Sequence, residues 1–204
     1  MKRLAVVVFA LVALLLGPSL ARAQEATPSP EGIFGFPDPA ECTVAARTAA
    51  ELEAIVATPA AATPEATPSE LAEMPEGVPA DAATVAEVLS TLREAVACIN
   101  TGDDLKIIQF YSDDLIRRLL GNAPLGQLEQ EGTPVPLTEE QMTELIAISG
   151  MVMLPDGRVA VVVTGDDHTN PAPATDTIFY FVKVGDRWLI DDFETSVDIA
   201  TPAP

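Results

Sequence analysis

Four side chains of this chain stand out as candidates for moving a proton, His168, Tyr180, Asp191 and Asp192, all toward its C-terminal end. His168, the only histidine, sits in Gly165-Asp166-Asp167-His168-Thr169. A histidine oriented by Asp166 or Asp167 is the arrangement of a general acid or base. Its neighbours Asn170-Pro171 read as a surface loop, where the same group would be a solvated side chain. Asp191 and Asp192 suggest a carboxylate pair, but adjacent residues of a strand point to opposite faces, so the two cannot share one substrate. Only one of them can face a pocket.

The partner of that aspartate follows from the hairpin Thr177 to Glu194, in which Gly185-Asp186 is a two-residue loop suited to a type II′ turn. The pairing then runs Val184–Arg187, Val182–Leu189, Tyr180–Asp191 and Ile178–Phe193. A Tyr180–Asp191 pair in an apolar cavity can polarise a ligand carbonyl or act as a base. It can equally satisfy itself by a hydrogen bond. With the faces inverted, Asp192 among Phe179 and Trp188 takes that role. Tyr111, Tyr180, Trp188 and Asp191 are the residues expected to line a pocket, although Tyr111 and Trp188, like Phe110, Phe179 and Phe181, also suit a core.

No Gly-rich phosphate loop, nucleophile elbow or zinc signature is present, so no cofactor or metal is expected. Calcium in the acidic 166–176 loop would lack EF-hand spacing. The pairs Asp103-Asp104 and Asp113-Asp114 fall at helix starts, where negative charge complements the helix dipole.

The two cysteines, Cys42 and Cys98, are read through the N-terminus. Lys2 and Arg3 precede an unbroken apolar run from Leu4 to Leu16, and Ala21-Arg22-Ala23 has the small-x-small pattern of a cleavage site. The run is shorter than the roughly 20 residues that cross a bilayer as a helix. Residues 1–23 are therefore expected to be a secretory signal peptide, with the mature chain secreted or extracytoplasmic and free of the membrane. Cleavage removes three of the 11 basic residues and none of the 31 acidic ones, taking the net charge from −20 to −23. Such a domain repels nucleic acid and anionic headgroups. An even cysteine count in an oxidising compartment favours a Cys42–Cys98 disulfide, which the chain-entropy relation values at roughly 4 kcal/mol.

The elements that position these groups divide the chain. Residues 24–41 read as a mobile tail in which Phe34 and Phe36 alternate and can dock as a short strand. Residues 42–57 carry a short helix with Thr48 and Glu51 at capping-box spacing, tethered by Cys42. Residues 58–80 are a Thr/Pro-rich linker of polyproline II character. The folded domain spans 81–199. Val85, Val88, Leu89, Leu92, Val96 and Ile99 mark its first helix, with Thr84 and Glu87 as a capping box. Asp103 and Ser112 start the next two helices, and Thr138 with Gln141 starts a fourth through Leu145 and Ile148. Strands Met151 to Leu154 and Arg158 to Thr164 flank the turn Pro155-Asp156-Gly157, and the last hairpin completes the sheet. The fold class is α+β: helices packed on one face of a curved antiparallel sheet of about four strands.

Asn100-Thr101-Gly102-Asp103, then Phe110-Tyr111-Ser112-Asp113-Asp114, then the Lys183 to Phe193 stretch resemble the nuclear transport factor 2-like superfamily, SnoaL-like branch, over 81–199. The resemblance implies a cone whose sheet curls around a pocket roofed by helices, often dimeric through the outer face of the sheet. Members include isomerases, dehydratases, cyclases and epoxide hydrolases beside many non-catalytic binding domains, so fold does not decide function. The expectation is a non-catalytic module binding a small apolar ligand or a partner, with a homodimer through the sheet as one arrangement. The alternative is a small lyase or isomerase using an aspartate with Tyr180.

Overall fold

The computed structural model describes residues 34–58, 74–121, 134, 137–167 and 175–195. The expected signal peptide, most of the 58–80 linker and His168 lie outside the described residues.

Helices precede an antiparallel meander, and the class is α+β. The elements are α1 (Ala49–Val56), β1 (Val78–Pro79), α2 (Ala82–Ile99), α3 (Asp104–Ile107), α4 (Asp113–Leu120), β2 (Thr143–Met153), β3 (Val159–Asp167), β4 (Thr175–Val184) and β5 (Arg187–Thr195). Strand order follows chain order, β1-β2-β3-β4-β5. The fifth strand is β1, two residues from the proline-rich stretch that pair with Val152 and Met153. Pro79 is tolerated because an edge strand has a side that needs no donor.

Helix α2 starts where an aspartate can cap it. Asp81 accepts from the amides of Ala83 and Thr84, both at 2.9 Å. The expected capping box of Thr84 with Glu87 does not form, because Glu87 reaches the sheet instead. Val88, Leu89, Leu92, Ala95 and Val96 form the buried stripe. Asp103 and Ser112 cap α3 and α4 as their positions predict, each accepting from a backbone amide of the first turn.

The expected fourth helix is replaced by a strand. Thr138 and Gln141 do form a capping box, but on a single 3-10 turn, Glu139–Gln141. Chain from Thr143 onward is β2, with register shifts against β3 that skip Ile146 and Gly150. Gly150 takes φ +58°, the left-handed conformation that such a bulge uses. Each bulge adds one residue between inward positions. Leu145, Ile148 and Met151 therefore all meet the core at a spacing of three, which imitates the helical period. Two bulges made a strand look like a helix.

The N-terminal arm packs against α2, α4 and β2. Cys42 and Cys98 are disulfide-bonded, with sulfurs 2.05 Å apart. Thr48 caps α1 in the expected capping box, and Leu52 is wholly buried in the main core. Within the expected 24–41 tail, the described end is docked: Gly35 exchanges two backbone hydrogen bonds with Leu145, at 2.8 and 2.9 Å. Arg93 holds Glu41 through two contacts of 2.6 and 2.7 Å. No helix among the described residues is long and apolar enough to cross a membrane.

Candidate functional site

The last hairpin decides where chemistry can occur. Gly185 takes φ +61° while Asp186 keeps a negative φ, the pattern of a II′ turn. Val184↔Arg187, Val182↔Leu189 and Phe181↔Ile190 then pair as the turn dictates. Beyond Ile190 the register slips by one: Tyr180 lies opposite Asp192, Phe179 opposite Phe193 and Ile178 opposite Glu194. The expected Tyr180–Asp191 pair is therefore not made. Asp191 is a bulge residue, held where the chain just before α4 runs along β5: Tyr111 bridges Ile190, and the Ser112 amide donates to the Ile190 carbonyl at 2.8 Å.

This slip sets Asp192, not Asp191, opposite Tyr180, while Tyr111 and Trp188 belong to the main core on the other face. Tyr180 belongs to a small apolar cluster with Leu154, Ala160 and Ile178, on the face of the sheet turned from the helices. Its hydroxyl donates to Glu194 Oε1 at 3.3 Å, and the Arg158 guanidinium lies 5.4 Å from its ring centroid. Burial, then the Glu194 charge, pushes its pKa up to about 12, so it remains a neutral phenol. Asp191 accepts from Ser112 Oγ at 2.7 Å and pairs with Arg158 at 3.4 Å. Asp192 pairs with Arg118 at 3.1 Å, and the same arginine donates to the Asp191 carbonyl. Both carboxylates are thus committed to cations at the edge of the sheet.

Trp188 is a core residue, 4% exposed, and its indole N–H donates to Glu87 at 2.9 Å. Lys183 donates to the same carboxylate at 2.7 Å, and these two bonds hold the Glu87 pKa below its ordinary value. Glu87, expected as half of a cap, is the tie between α2 and the hairpin. No periodicity reveals such a contact, since its partner is about a hundred residues away.

A half-open apolar cleft of about 250 Å³ lies between the helices and the inner face of β4 and β5. Leu92, Ala95, Val96 and Ile99 of α2 form one wall, with Ile107 and Tyr111 behind them. Phe179, Ile190 and Phe193 form the other. Ile99 and Phe193 stand at the mouth, 37% and 39% exposed, beside Thr177 and Thr195, whose hydroxyls are 3.4 Å apart. None of the lining residues is charged. Of the four residues expected to line a pocket, only Tyr111 is here. Its phenol is pushed up in pKa by burial and then by the Asp104 charge.

Sequence reasoning missed most of this wall because its residues read as ordinary core. Phe193 carries the clearest signal in hindsight. Without the Asp191 bulge it would share the outer face with Tyr180, and the bulge turns it inward beside Phe179. Compared with protein-family models, curated proteins and solved structures, the chain finds no match.

Proposed function

We propose that this chain is an exported, non-catalytic binding module of the nuclear transport factor 2-like kind, which takes a small apolar ligand into the cleft between α2 and the last hairpin. The observation that carries the reading is the lining of that cleft: about 250 Å³ of apolar wall with no ionisable carboxylate, imidazole, lysine or arginine. Proton transfer needs a group with a suitable pKa within hydrogen-bond reach of the reacting atom, and this lining has only a phenol that burial keeps neutral. Ligand pockets, by contrast, are mostly apolar with few polar groups. The helices-then-meander order supports the family reading, and the Cys42–Cys98 bond supports an extracytoplasmic location.

A dry apolar cavity of about 150 Å³ holds benzene, so the present cleft of about 250 Å³, open at its mouth, has room for a small apolar ligand. The lyase or isomerase reading has less support, because Tyr180 and its facing Asp192 lie on the other side of the sheet from the cleft. Dimerisation through that outer face is likewise the weaker reading, since Ile178 and Tyr180 are already buried in the single chain.

Titration with a neutral fluorescent probe such as phenylnaphthylamine tests the proposal. Wild type is expected to bind, the Asp191→Asn and Asp192→Asn variants to bind equally, and Ala95→Leu, which fills the floor of the cleft, to bind at least tenfold more weakly. Absence of binding by wild type, or full binding by a folded Ala95→Leu variant, would overturn it.

A further inference from the structure

We infer that residues 74–77 are a strap that closes the outer face of the sheet against self-association, and that lifting the strap lets two copies of the chain pair through that face.

The stretch read from sequence as a spacer ends in contact with the sheet. Leu154, Ala160, Ile178 and Tyr180 form a buried apolar cluster on the face turned from the helices, and Met74, Val152 and Val162 pack against it. The two valines belong to β2 and β3. Among the described residues, Met74 is therefore the one apolar side chain packed on this cluster from outside the strands. Met74 and Pro75 are both half-buried there.

The strap is fitted to its seat at Gly77. A Cβ at that position would stand 2.6 Å from the Met153 carbonyl oxygen and 3.0 Å from the Val152 side chain, so a residue with a side chain cannot lie this close to β2. The bulge residue Gly150 lies beside the other end of the strap, where a Cβ would meet Met74 at 3.8 Å. Past Gly77 the chain is held by the ladder: Val78 and Pro79 pair with Met153 and Val152, and the Ala80 amide donates to the Met151 carbonyl at 3.2 Å. Pro75 and Pro79 restrict the backbone on either side of Gly77, which lowers the entropy lost when the strap docks.

The covered stripe is complementary to a second copy of itself. Val159 pairs with Phe181, so Arg158 lies on the hairpin-turn side of Tyr180, whereas Glu194 pairs with Ile178 on the other side. The Arg158 guanidinium is 5.4 Å from the Tyr180 ring centroid, and Glu194 accepts from the Tyr180 hydroxyl at 3.3 Å. An apolar stripe thus has a cation at one end and a carboxylate at the other. A two-fold axis through such a stripe brings the cation of each copy to the carboxylate of the other.

Sedimentation velocity on the full-length mature protein tests this, in about 150 mM salt so that repulsion between the acidic surfaces is screened. Wild type is expected to stay monomeric. Gly77→Ala leaves every residue of the outer face in place but drives a methyl group against the Met153 carbonyl. It is expected to speed hydrogen exchange at the Ala80 amide and to tighten dimerisation roughly tenfold or more. Met74→Ser, which removes the cover without crowding β2, is expected to dimerise likewise, and it keeps the inference testable should Gly77→Ala fail to fold. A wild type that is already dimeric would overturn the inference, as would folded variants that stay monomeric. Unchanged Ala80 exchange in folded Gly77→Ala would show that the strap is not seated through Gly77, and aggregates of no fixed size would overturn the pairing of two copies.

Discussion

Ser112 and Asp191, 79 positions apart in sequence, meet at 2.7 Å where α4 begins beside the bulge of β5. The serine oxygen also accepts from the Leu115 amide at 3.0 Å, so one hydroxyl caps the helix and holds the bulge at once. Removing it exposes two needs. Ser112→Ala loses an N-cap and leaves Asp191 short of a donor, and is expected to lower stability by about 2 kcal/mol. A urea denaturation midpoint that falls while the slope stays constant checks this. Because the bulge turns Phe193 into the cleft, the same variant should also weaken binding of the apolar probe.

Asn100 is wholly buried, and its side chain makes three hydrogen bonds that join the N-terminal arm and β2 to the end of α2. The amide nitrogen donates to the carbonyls of Pro37 and Thr143 at 3.1 and 3.2 Å, and the oxygen accepts from the Thr143 amide at 2.7 Å. Asn100→Ala strands these backbone groups out of water and is expected to cost about 3 kcal/mol. Hydrogen exchange should accelerate first at Thr143 and at the Gly35–Leu145 bridge. Unchanged protection there would show that the arm is held by the disulfide and Leu52 alone.

The two tyrosines give a test in alkali. Both have folded pKa values above the ordinary value of 10.0, Tyr180 at about 12. A raised folded pKa means the native state holds the proton more tightly. The stability this brings is complete below pH 10 and is lost as pH rises from 10 towards 12. Native protein at pH 10 should show clearly less tyrosinate absorbance than the urea-unfolded chain, which at that pH should be about half ionised. Tyr180→Phe should flatten the upper part of the alkaline stability loss. Full ionisation of native protein near pH 10 would contradict the burial of both rings.

Local signals were legible wherever the cause was local. Thr48, Asp103 and Ser112 cap the helices that their positions predict, because a cap needs only a side-chain oxygen two or three residues before an amide. Gly185-Asp186 turns the last hairpin as its composition requires, and the first four pairs out from the turn follow. The Asp191 bulge was not legible, and one skipped residue was enough to exchange Asp191 for Asp192 opposite Tyr180. Likewise Leu145, Ile148 and Met151 carry a spacing that fits a helix or a twice-bulged strand, and only the neighbouring β3 distinguishes them.

By itself, then, the sequence determined the order of helices before strands, the turn and caps, the pairing of its two cysteines and a surface dominated by negative charge. Tertiary structure decided where the ladder slips, which face each aromatic residue takes, and that Tyr111, not Tyr180, meets the apolar cleft. The division has a physical cause. Caps and turns are settled within a few residues by hydrogen bonding and allowed φ. A bulge is stable only when a partner strand and a packed layer favour the extra residue, and these lie far away along the chain.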